Sequence, residues 1–137
     1  MSDSVFADTN VFVYLFDRDA PAKKRRARQI LEEEGDRLVL STQVLQEFFV
    51  TVTRKLGQPL PESDAEAATR DLAAFEVVEP GLAMVLRSIS SSRAWKISLW
   101  DALIVEAARA RDCARLLSED MQHGRLFGSV RVENPFR

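Results

Sequence analysis

The sequence has few of the residues on which several common kinds of site depend. It contains one cysteine, Cys113, and one histidine, His123. A single cysteine cannot form an internal disulfide, which favours a reducing compartment, and a histidine-rich zinc site is excluded. Triads of the serine-protease kind, which need a histidine, are disfavoured for a similar reason. Cys113 lies in an apolar segment and is expected in the core.

Long apolar runs and glycine-rich phosphate loops are also missing. No stretch reaches the roughly 18 apolar residues that a membrane span needs, and the N-terminus lacks the basic-then-apolar pattern of a secretory leader. The five glycines form neither the Rossmann nor the P-loop pattern, which disfavours both classes of nucleotide binder. We therefore expect a cytoplasmic protein without a membrane partner.

The composition is that of a folded domain. Of the 137 residues, 46% are hydrophobic, and the mean hydropathy is -0.15. This length suits one domain spanning residues 1–137. The net charge of -2 and the pI of about 5.5 argue against a protein coated in basic charge, although a local basic groove remains possible.

Short apolar segments alternate with helical patterns along the chain, which predicts an α/β fold. The segments are near-continuous apolar runs, as in parallel strands that are covered on both faces. We predict a three-layer α/β/α domain with a short, mainly parallel sheet of about five strands. The predicted strands are Ser4–Ala7, Arg37–Ser41, Phe75–Pro80, Cys113–Leu117 and Val130–Asn134. Helices are predicted over 10–16, 21–34, 42–56, 64–74, 81–90 and 99–112, and residues 88–98 are predicted to be a polar connection.

Three acids stand where a ligand of such a sheet would bind. Asp8 ends the first strand, Asp120 follows the fourth, and Asp101 lies in the first turn of a late helix. Ligands of parallel sheets bind beyond the carboxyl ends of the strands, and clustered carboxylates are compatible with a hard divalent cation. Each acid also has a local explanation: Asp8 as a helix cap, Asp101 as part of a near capping box with Ser98, and Asp120 as a turn residue.

Three motifs give the sequence a family resemblance. Asp8-Thr9-Asn10 after the first strand, Trp100-Asp101-Ala102-Leu103-Ile104 at a helix start, and Ser118-Glu119-Asp120 after a strand resemble the PIN-domain ribonucleases, especially VapC-type toxins. The resemblance extends over nearly the whole chain and implies a fourth acid, Glu47, which the helical periodicity alone would assign to a solvated face.

The resemblance implies a metal-dependent endoribonuclease. Asp8, Glu47, Asp101 and Asp120 would be catalytic and would hold one or two Mg²⁺ or Mn²⁺ ions. The hydroxyls of Thr9 and Ser118 would orient these carboxylates, and the amide of Asn10 would either cap the following helix or reach the site in the same supporting role. The implied partners are an RNA substrate, a small VapB-like antitoxin and a second copy of the chain. The helix around Phe48 has apolar residues on more than one side, so part of it could face that second copy.

Basic residues and rival functions complete the sequence-based hypotheses. The candidates for RNA contact are Lys23, Lys24, Arg25, Arg26, Arg93 and Lys96. Trp95 is expected in the core rather than against a base. One alternative is an aspartyl-nucleophile phosphatase using Asp8, although Asn10 stands where such enzymes have a second Asp. The other is a non-catalytic PIN-like scaffold that binds RNA or protein.

Overall fold

The computed structural model describes residues 3–137, so the first two positions of the predicted domain lie outside the described residues. Strands and helices alternate as predicted. In chain order they are β1 (Val5–Ala7), α1 (Thr9–Val13), α2 (Pro21–Glu34), β2 (Leu38–Ser41), α3 (Thr42–Arg54), α4 (Glu62–Leu72), β3 (Glu76–Val78), α5 (Leu82–Trp95), α6 (Leu99–Ala110), β4 (Arg115–Leu117), β5 (Leu126–Phe127) and β6 (Val130–Glu133). Single 3₁₀ turns follow α1 (Tyr14–Phe16) and α2 (Gly35–Arg37).

The strands form one sheet in the order β3-β2-β1-β4-β6-β5. All neighbouring pairs are parallel except β5 with β6. This confirms the three-layer α/β/α fold with a mainly parallel sheet. The described chain has six strands rather than about five, because β5 is an additional antiparallel strand of two residues. A strand that short leaves no apolar pattern in a sequence.

The order of the strands creates a switch point beside β1. The chain continues from β1 to β2 and β3 on one side and returns to β4 on the other. All three residues of β1 are buried, as expected for a central strand covered on both faces. Ala7 pairs with Leu117, so the residues that follow β1 and β4 emerge next to each other. Sheets of this kind bind ligands at such a switch point.

Two helices carry further side chains to this edge. The Ser41 hydroxyl accepts a hydrogen bond from the Val44 backbone N–H and caps α3, which fixes where that helix begins after β2. Val44, Phe48 and Val52 are completely buried at helical spacing, so the intervening Glu47 points away from the core. In α6 every residue from Ala102 to Ala108 is buried, which fixes this helix firmly against the sheet.

The predicted polar connection over residues 88–98 is mostly wrong, because α5 continues to Trp95. Two of its serines, Ser91 and Ser92, form hydrogen bonds inside a packed helix pair, whereas the buried Ser88 hydroxyl has no partner among the described residues. The Ser91 hydroxyl donates to the buried carboxylate of Glu106 on α6, and the Ser92 hydroxyl donates to the Ile89 carbonyl one turn back. Serine lowers intrinsic helix propensity because it competes for backbone groups, but here those hydrogen bonds form within the helix itself or with its neighbour.

Within residues 3–137, none of the helices combines the length and the apolar character needed to cross a membrane.

Candidate active site

Asp8 lies directly after β1 with its side chain almost completely buried, at 6% exposure. One carboxylate oxygen accepts a hydrogen bond from the Thr9 backbone N–H at 2.7 Å, and the other accepts one from the Ser118 hydroxyl at 2.7 Å. The Asp8 N–H donates to the Leu117 carbonyl at 2.9 Å, which extends the β1–β4 pairing. Asp8 also caps α1, as its local explanation predicts.

The environment of Asp8 disfavours its charged form. Burial raises the pKa of Asp8 from 3.8 to about 6, although the hydrogen bonds from Ser118 and Thr9 act in the opposite direction. The charges of Glu47 and Asp120 add to the increase, which shows that both carboxylates lie within electrostatic reach. A buried acid whose charged form is disfavoured by burial and further by neighbouring like charges is typical of functional sites, and a bound cation would relieve that repulsion.

The loop after β4 brings Asp120 to the same place. The Asp120 N–H donates to the Ser118 hydroxyl at 3.2 Å. The Asn10 side chain then bridges two residues of this loop: its amide nitrogen donates to Asp120 Oδ2 at 3.2 Å, and its oxygen accepts from the Glu119 N–H at 3.2 Å. Asn10 therefore fixes the exposed Asp120 relative to β1 and α1.

Asp101 enters from the first turn of α6, half-buried. The Ser98 hydroxyl accepts a hydrogen bond from the Asp101 N–H at 3.0 Å, so Ser98 caps the helix. Burial raises the pKa of Asp101, the interaction with Ser98 lowers it, and the charge of Asp120 raises it. The electrostatic effect of Asp120 indicates that the two carboxylates share this edge.

Glu47 completes the set from the exposed side of α3. The Gln43 amide nitrogen donates to Glu47 Oε1 at 2.8 Å and to the Trp100 carbonyl at 3.2 Å. Gln43 thus connects α3 with the first turn of α6. The four acids proposed from the sequence come from four separate parts of the chain, and electrostatic interactions connect Asp8 with Glu47 and Asp120, and Asp101 with Asp120.

The donor chemistry at this edge fits a hard divalent cation. All four acids offer oxygen ligands, which Mg²⁺ and Mn²⁺ prefer. Across residues 3–137, no three Asp, Glu, His or Cys side chains are close enough together to hold one ion. Mg²⁺ is usually bound by only one or two carboxylates, with waters and substrate phosphates in the remaining positions. Two buried polar atoms at the same edge, Thr9 Oγ1 and Gln43 Oε1, have no hydrogen-bond partner in the described chain.

The comparison with known families decides where this fold belongs. The family model described as PIN domain matches residues 5–126. The chain belongs to the PIN-domain family. In contrast, none of the curated proteins matches it in sequence.

Solved structures share the PIN fold with this chain at low sequence identity. The toxin VapC20 of Mycobacterium tuberculosis, described as cleaving the sarcin–ricin loop, aligns with a TM-score of 0.70 at 16% identity, covering 85% of this chain and 90% of its own. A toxin–antitoxin complex from Klebsiella pneumoniae aligns with a TM-score of 0.73 at 20% identity, covering 96% of this chain and 98% of the matched chain. The DNA-bound VapBC complex of Salmonella typhimurium aligns with a TM-score of 0.68 at 15% identity, covering 98% of this chain and 99% of the matched chain.

The supporting residues of this PIN domain act in different ways from one another. Ser118 contacts Asp8 through its hydroxyl, as the family resemblance implies. Thr9 contacts Asp8 through its backbone N–H, whereas its hydroxyl is unpartnered. Asn10, whose role the sequence left open, bridges Asp120 and Glu119.

The six predicted RNA-binding residues of the PIN domain do not form one cluster. Lys23 pairs with Glu119 at 2.5 Å, and Arg26 donates to the Pro135 carbonyl at 2.9 Å. Arg25 is exposed and Lys24 is partly exposed on α2. The other two, Arg93 and Lys96, are exposed at the end of α5, shortly before the turn that carries Asp101.

A cluster beside the acids was missed by the sequence reasoning. The Tyr14 hydroxyl donates to Glu119, and the Lys23 ammonium contacts both Glu119 and the Tyr14 oxygen. Burial and the interaction with Glu119 raise the pKa of Tyr14, and the Glu119 contact raises the pKa of Lys23. The position of Glu119 between Ser118 and Asp120 was the one signal in the sequence that could have pointed to this cluster. The contacts of Glu119 with Tyr14 and Lys23 span 96 residues or more, so no local pattern predicts them.

Other sequence-based expectations concern apolar residues. Cys113 is buried and free, as expected. Trp95 is half-buried and packs edge-on against the buried Phe127 with ring centroids 5.0 Å apart, so it lies at the margin of the core. Phe48 is completely buried, whereas Val50 is 43% exposed. A groove of about 490 Å³ lies between α3 and α4 and is lined by Leu45, Gln46, Phe49, Val50, Glu66, Thr69 and Arg70.

Proposed function

We propose that this PIN domain is a divalent-metal-dependent endoribonuclease of the VapC toxin type. The observation that carries the proposal is the carboxylate cluster at the switch point of the sheet, where buried Asp8 has a pKa raised to about 6 beside Glu47 and Asp120. The structural relatives support the type of protein, since they include a toxin described as cleaving the sarcin–ricin loop and toxin–antitoxin complexes.

In this proposal, the residues of the site have separate roles in phosphodiester hydrolysis. Asp8 and Asp101 would hold one or two Mg²⁺ or Mn²⁺ ions, with Asp120 and Glu47 contributing directly or through waters. Such an ion, when bound, lowers the pKa of a water nucleophile and offsets negative charge on the reacting phosphate. Ser118 holds Asp8 in one orientation, and Asn10 does the same for Asp120. Interactions of this kind orient ligands and tune their basicity.

Glu47 and Asp120 are suited to handle the attacking water. Both are exposed at the edge, so a solvent molecule can reach them, and both carboxylates can accept a hydrogen bond from it. We expect them to orient this water and take up its proton as it attacks phosphorus. By the family resemblance the products are a 5′-phosphate and a 3′-hydroxyl.

RNA binding would rest on the basic residues that the fold leaves available. Arg25 and Lys24 on α2, together with Arg93 and Lys96 before α6, remain candidates for phosphate contacts. Lys23 and Arg26 have partners in the protein and are weaker candidates. Charge reversal at Arg25 should weaken RNA binding and reduce its salt dependence by about one phosphate contact.

The antitoxin and the second copy of the chain are proposed partners. A small VapB-like antitoxin would inhibit the enzyme by placing an apolar segment on the toxin, and the groove between α3 and α4 is mainly apolar with Glu66 and Arg70 in its lining. An amphipathic helix in a groove is a common mode of such recognition. Cleavage in the presence of a candidate antitoxin, with Phe49→Glu as the disrupted toxin, tests this surface.

The central experiment is cleavage of defined tRNA and ribosomal RNA by the purified chain with Mg²⁺ or Mn²⁺. Asp8→Asn and Asp101→Asn should abolish cleavage, and EDTA should inhibit the wild type. Asp64→Asn, which removes an exposed acid from the first turn of α4, is the matched control and should retain activity. Equal survival of RNA with wild type and both site variants would refute the nuclease proposal, and activity that resists EDTA would refute the role of the metal.

The same preparation separates the two alternatives. A scaffold would bind RNA without cutting it under any metal condition. A phosphatase of the aspartyl-nucleophile kind would form an aspartyl-phosphate, an acyl phosphate, on Asp8, which mass spectrometry would detect. Neither alternative has a specific observation in its favour, and the amide of Asn10 donates to Asp120 where a phosphatase would carry a second acid.

A further inference from the structure

Trp100 is the most exposed aromatic ring beside the carboxylate cluster. Its exposure is 65%, whereas the other tryptophan, Trp95, packs against Phe127. Trp100 lies in the first turn of α6 and directly precedes Asp101. Large aromatic side chains are seldom left this exposed, so the position of the ring calls for a ligand or partner.

The backbone that carries this ring is held firmly. The Gln43 amide nitrogen donates to the Trp100 carbonyl at 3.2 Å, and the Ser98 hydroxyl caps the same helical turn through the Asp101 N–H. Gln43 also donates to Glu47, so the carbonyl of Trp100 and one of the four acids share a hydrogen-bond donor. In residues 3–137, the indole has no ring partner and no cation over its face. The ring is therefore presented by a fixed backbone with its π-face available.

We propose that Trp100 stacks on an unpaired base of the RNA substrate beside the phosphate that is cleaved. The inference rests on the proposed nuclease function and names a residue that would select single-stranded segments. The carboxylates repel every phosphate that no bound ion neutralises, so an interaction that does not depend on charge adds affinity close to the acids. Stacking of a base on an indole is such an interaction and tolerates any base.

The surroundings of Trp100 favour a base over an apolar protein segment. The side chains that form hydrogen bonds with the turn carrying Trp100 are polar, Ser98 and Gln43, and Asp101 follows Trp100 directly, although Leu99 precedes it. A protein helix needs a continuous apolar surface, and the mainly apolar groove of this domain lies between α3 and α4 instead. A nucleobase combines a π-face with polar edges, which suits an exposed ring whose helical turn also presents Asp101 and contacts Gln43.

Stacking makes a specific demand on the substrate. A base can stack on Trp100 only after it leaves its own helix, so the contact should contribute to binding of single-stranded RNA and not of a duplex. Phenylalanine at position 100 should retain much of the contact because it keeps a π-face. Leucine should lose it while keeping an apolar side chain.

The test measures binding in an Asp8→Asn background, so that cleavage does not interfere. The probes are a short oligoadenylate and the same strand annealed to oligouridylate. Trp100→Leu should weaken binding of the single strand by about tenfold and leave duplex binding within about twofold, whereas Trp100→Phe should lie near the parent. Binding of the single strand should also quench tryptophan fluorescence in the parent and not in Trp100→Phe, which keeps only Trp95. Leu126→Ala, which removes an exposed apolar side chain from β5, is the control and should change nothing.

Three results would overturn the inference. Trp100→Leu could bind the single strand as tightly as the parent, it could weaken single strand and duplex equally, or it could alter only the oligomeric state in sedimentation, which would assign the ring to a contact between copies. These results are distinct from failure of the nuclease proposal. If RNA quenches the tryptophan fluorescence of a wild-type chain that does not cleave RNA, the nuclease proposal is refuted and the stacking site is supported.

Discussion

The Ser118 hydroxyl donates a hydrogen bond of 2.7 Å to the buried carboxylate of Asp8, although the two residues are 110 positions apart. This contact exists because β1 and β4 are neighbours and Ala7 pairs with Leu117. It joins the carboxyl ends of β1 and β4, between which the strand order of the sheet reverses. The same hydroxyl accepts from the Asp120 N–H, so one serine organises two of the four acids.

Ser118→Ala should impair the site more than the fold. The hydrogen bond from Ser118 lowers the pKa of Asp8, so its loss should raise that pKa above about 6 and reduce the ionised fraction near neutral pH. Removal of a side chain that orients a metal ligand typically costs 10–100-fold in metal affinity or activity. We expect kcat/KM to fall by about that factor and the acidic limb of its pH profile to move to higher pH. Ser129→Ala, an exposed serine, is the control. A reduced rate with an unshifted profile would contradict the pKa argument.

Asp8→Asn should stabilise the metal-free protein in a pH-dependent way. The pKa of Asp8 is about 6 in the folded chain and near 3.8 in the unfolded chain, so the folded state binds more protons between these values. The contribution of Asp8 to stability therefore falls as pH rises through this window, by on the order of 2–3 kcal/mol at pH 7. An asparagine does not titrate and avoids this cost.

Urea unfolding in EDTA at pH 4.5 and pH 7.5 measures this effect. The difference between Asp8→Asn and the wild type should be larger at the higher pH, while Asp64→Asn should show no such trend. Added Mg²⁺ should stabilise the wild type at pH 7.5 more than the variant, because binding to the folded state alone raises its stability. A difference that is independent of pH would show that Asp8 titrates normally.

The sequence was sufficient to predict the fold and the acids for identifiable reasons. The runs around Phe6 and Val39 are apolar without alternation, which is how a parallel, doubly covered strand appears in a sequence. The rule that ligands bind beyond strand ends then singled out Asp8 and Asp120. Glu47 required the family resemblance, because its exposed position on α3 resembles an ordinary solvated face.

The parts that sequence reasoning missed depend on contacts between distant positions. Glu119 meets Tyr14 and Lys23 across roughly a hundred residues, and no local pattern encodes such a contact. The serines of α5 suggested a loop, whereas Ser91 has a partner on α6 and Ser92 bonds within its own helix, contacts that the local sequence does not reveal. The exposure of Trp100 was equally invisible, since a tryptophan beside an apolar helix stretch is usually buried.

Asn10 should be sensitive to a change of a single atom type. Asn10→Asp keeps an acceptor for the Glu119 N–H but replaces the donor to Asp120 by a second carboxylate. Like charges at this distance raise pKa values and push the groups apart. For Asn10→Asp we expect kcat/KM to fall by about 100-fold near neutral pH and to recover in part at lower pH. For Asn10→Ala we expect kcat/KM to fall by about tenfold at both pH values.

Asn134→Asp is the matched control for Asn10→Asp. The Asn134 side-chain oxygen accepts from the Phe136 N–H at 2.9 Å, so this substitution also preserves a local acceptor, but no hydrogen bond or ion pair joins Asn134 to any of the four acids. It should leave kcat/KM nearly unchanged. If Asn10→Asp were as active as wild type at neutral pH, the bridge from Asn10 to Asp120 would have no role in the reaction.

The pair of Lys23 and Glu119 should position the loop after β4 rather than bind RNA. Lys23→Glu and Glu119→Lys should each reduce kcat/KM by about tenfold, because Glu119 precedes Asp120 and loses the ammonium that holds it at 2.5 Å. The free energy of unfolding should change by at most about 1 kcal/mol, since both side chains are partly exposed, at 42% and 23%. The double variant restores opposite charges and should recover part of the activity. If the double variant were as inactive as the singles combined, or if Lys23→Glu alone reduced the salt dependence of RNA binding, Lys23 would be a phosphate contact and the positioning role would be wrong.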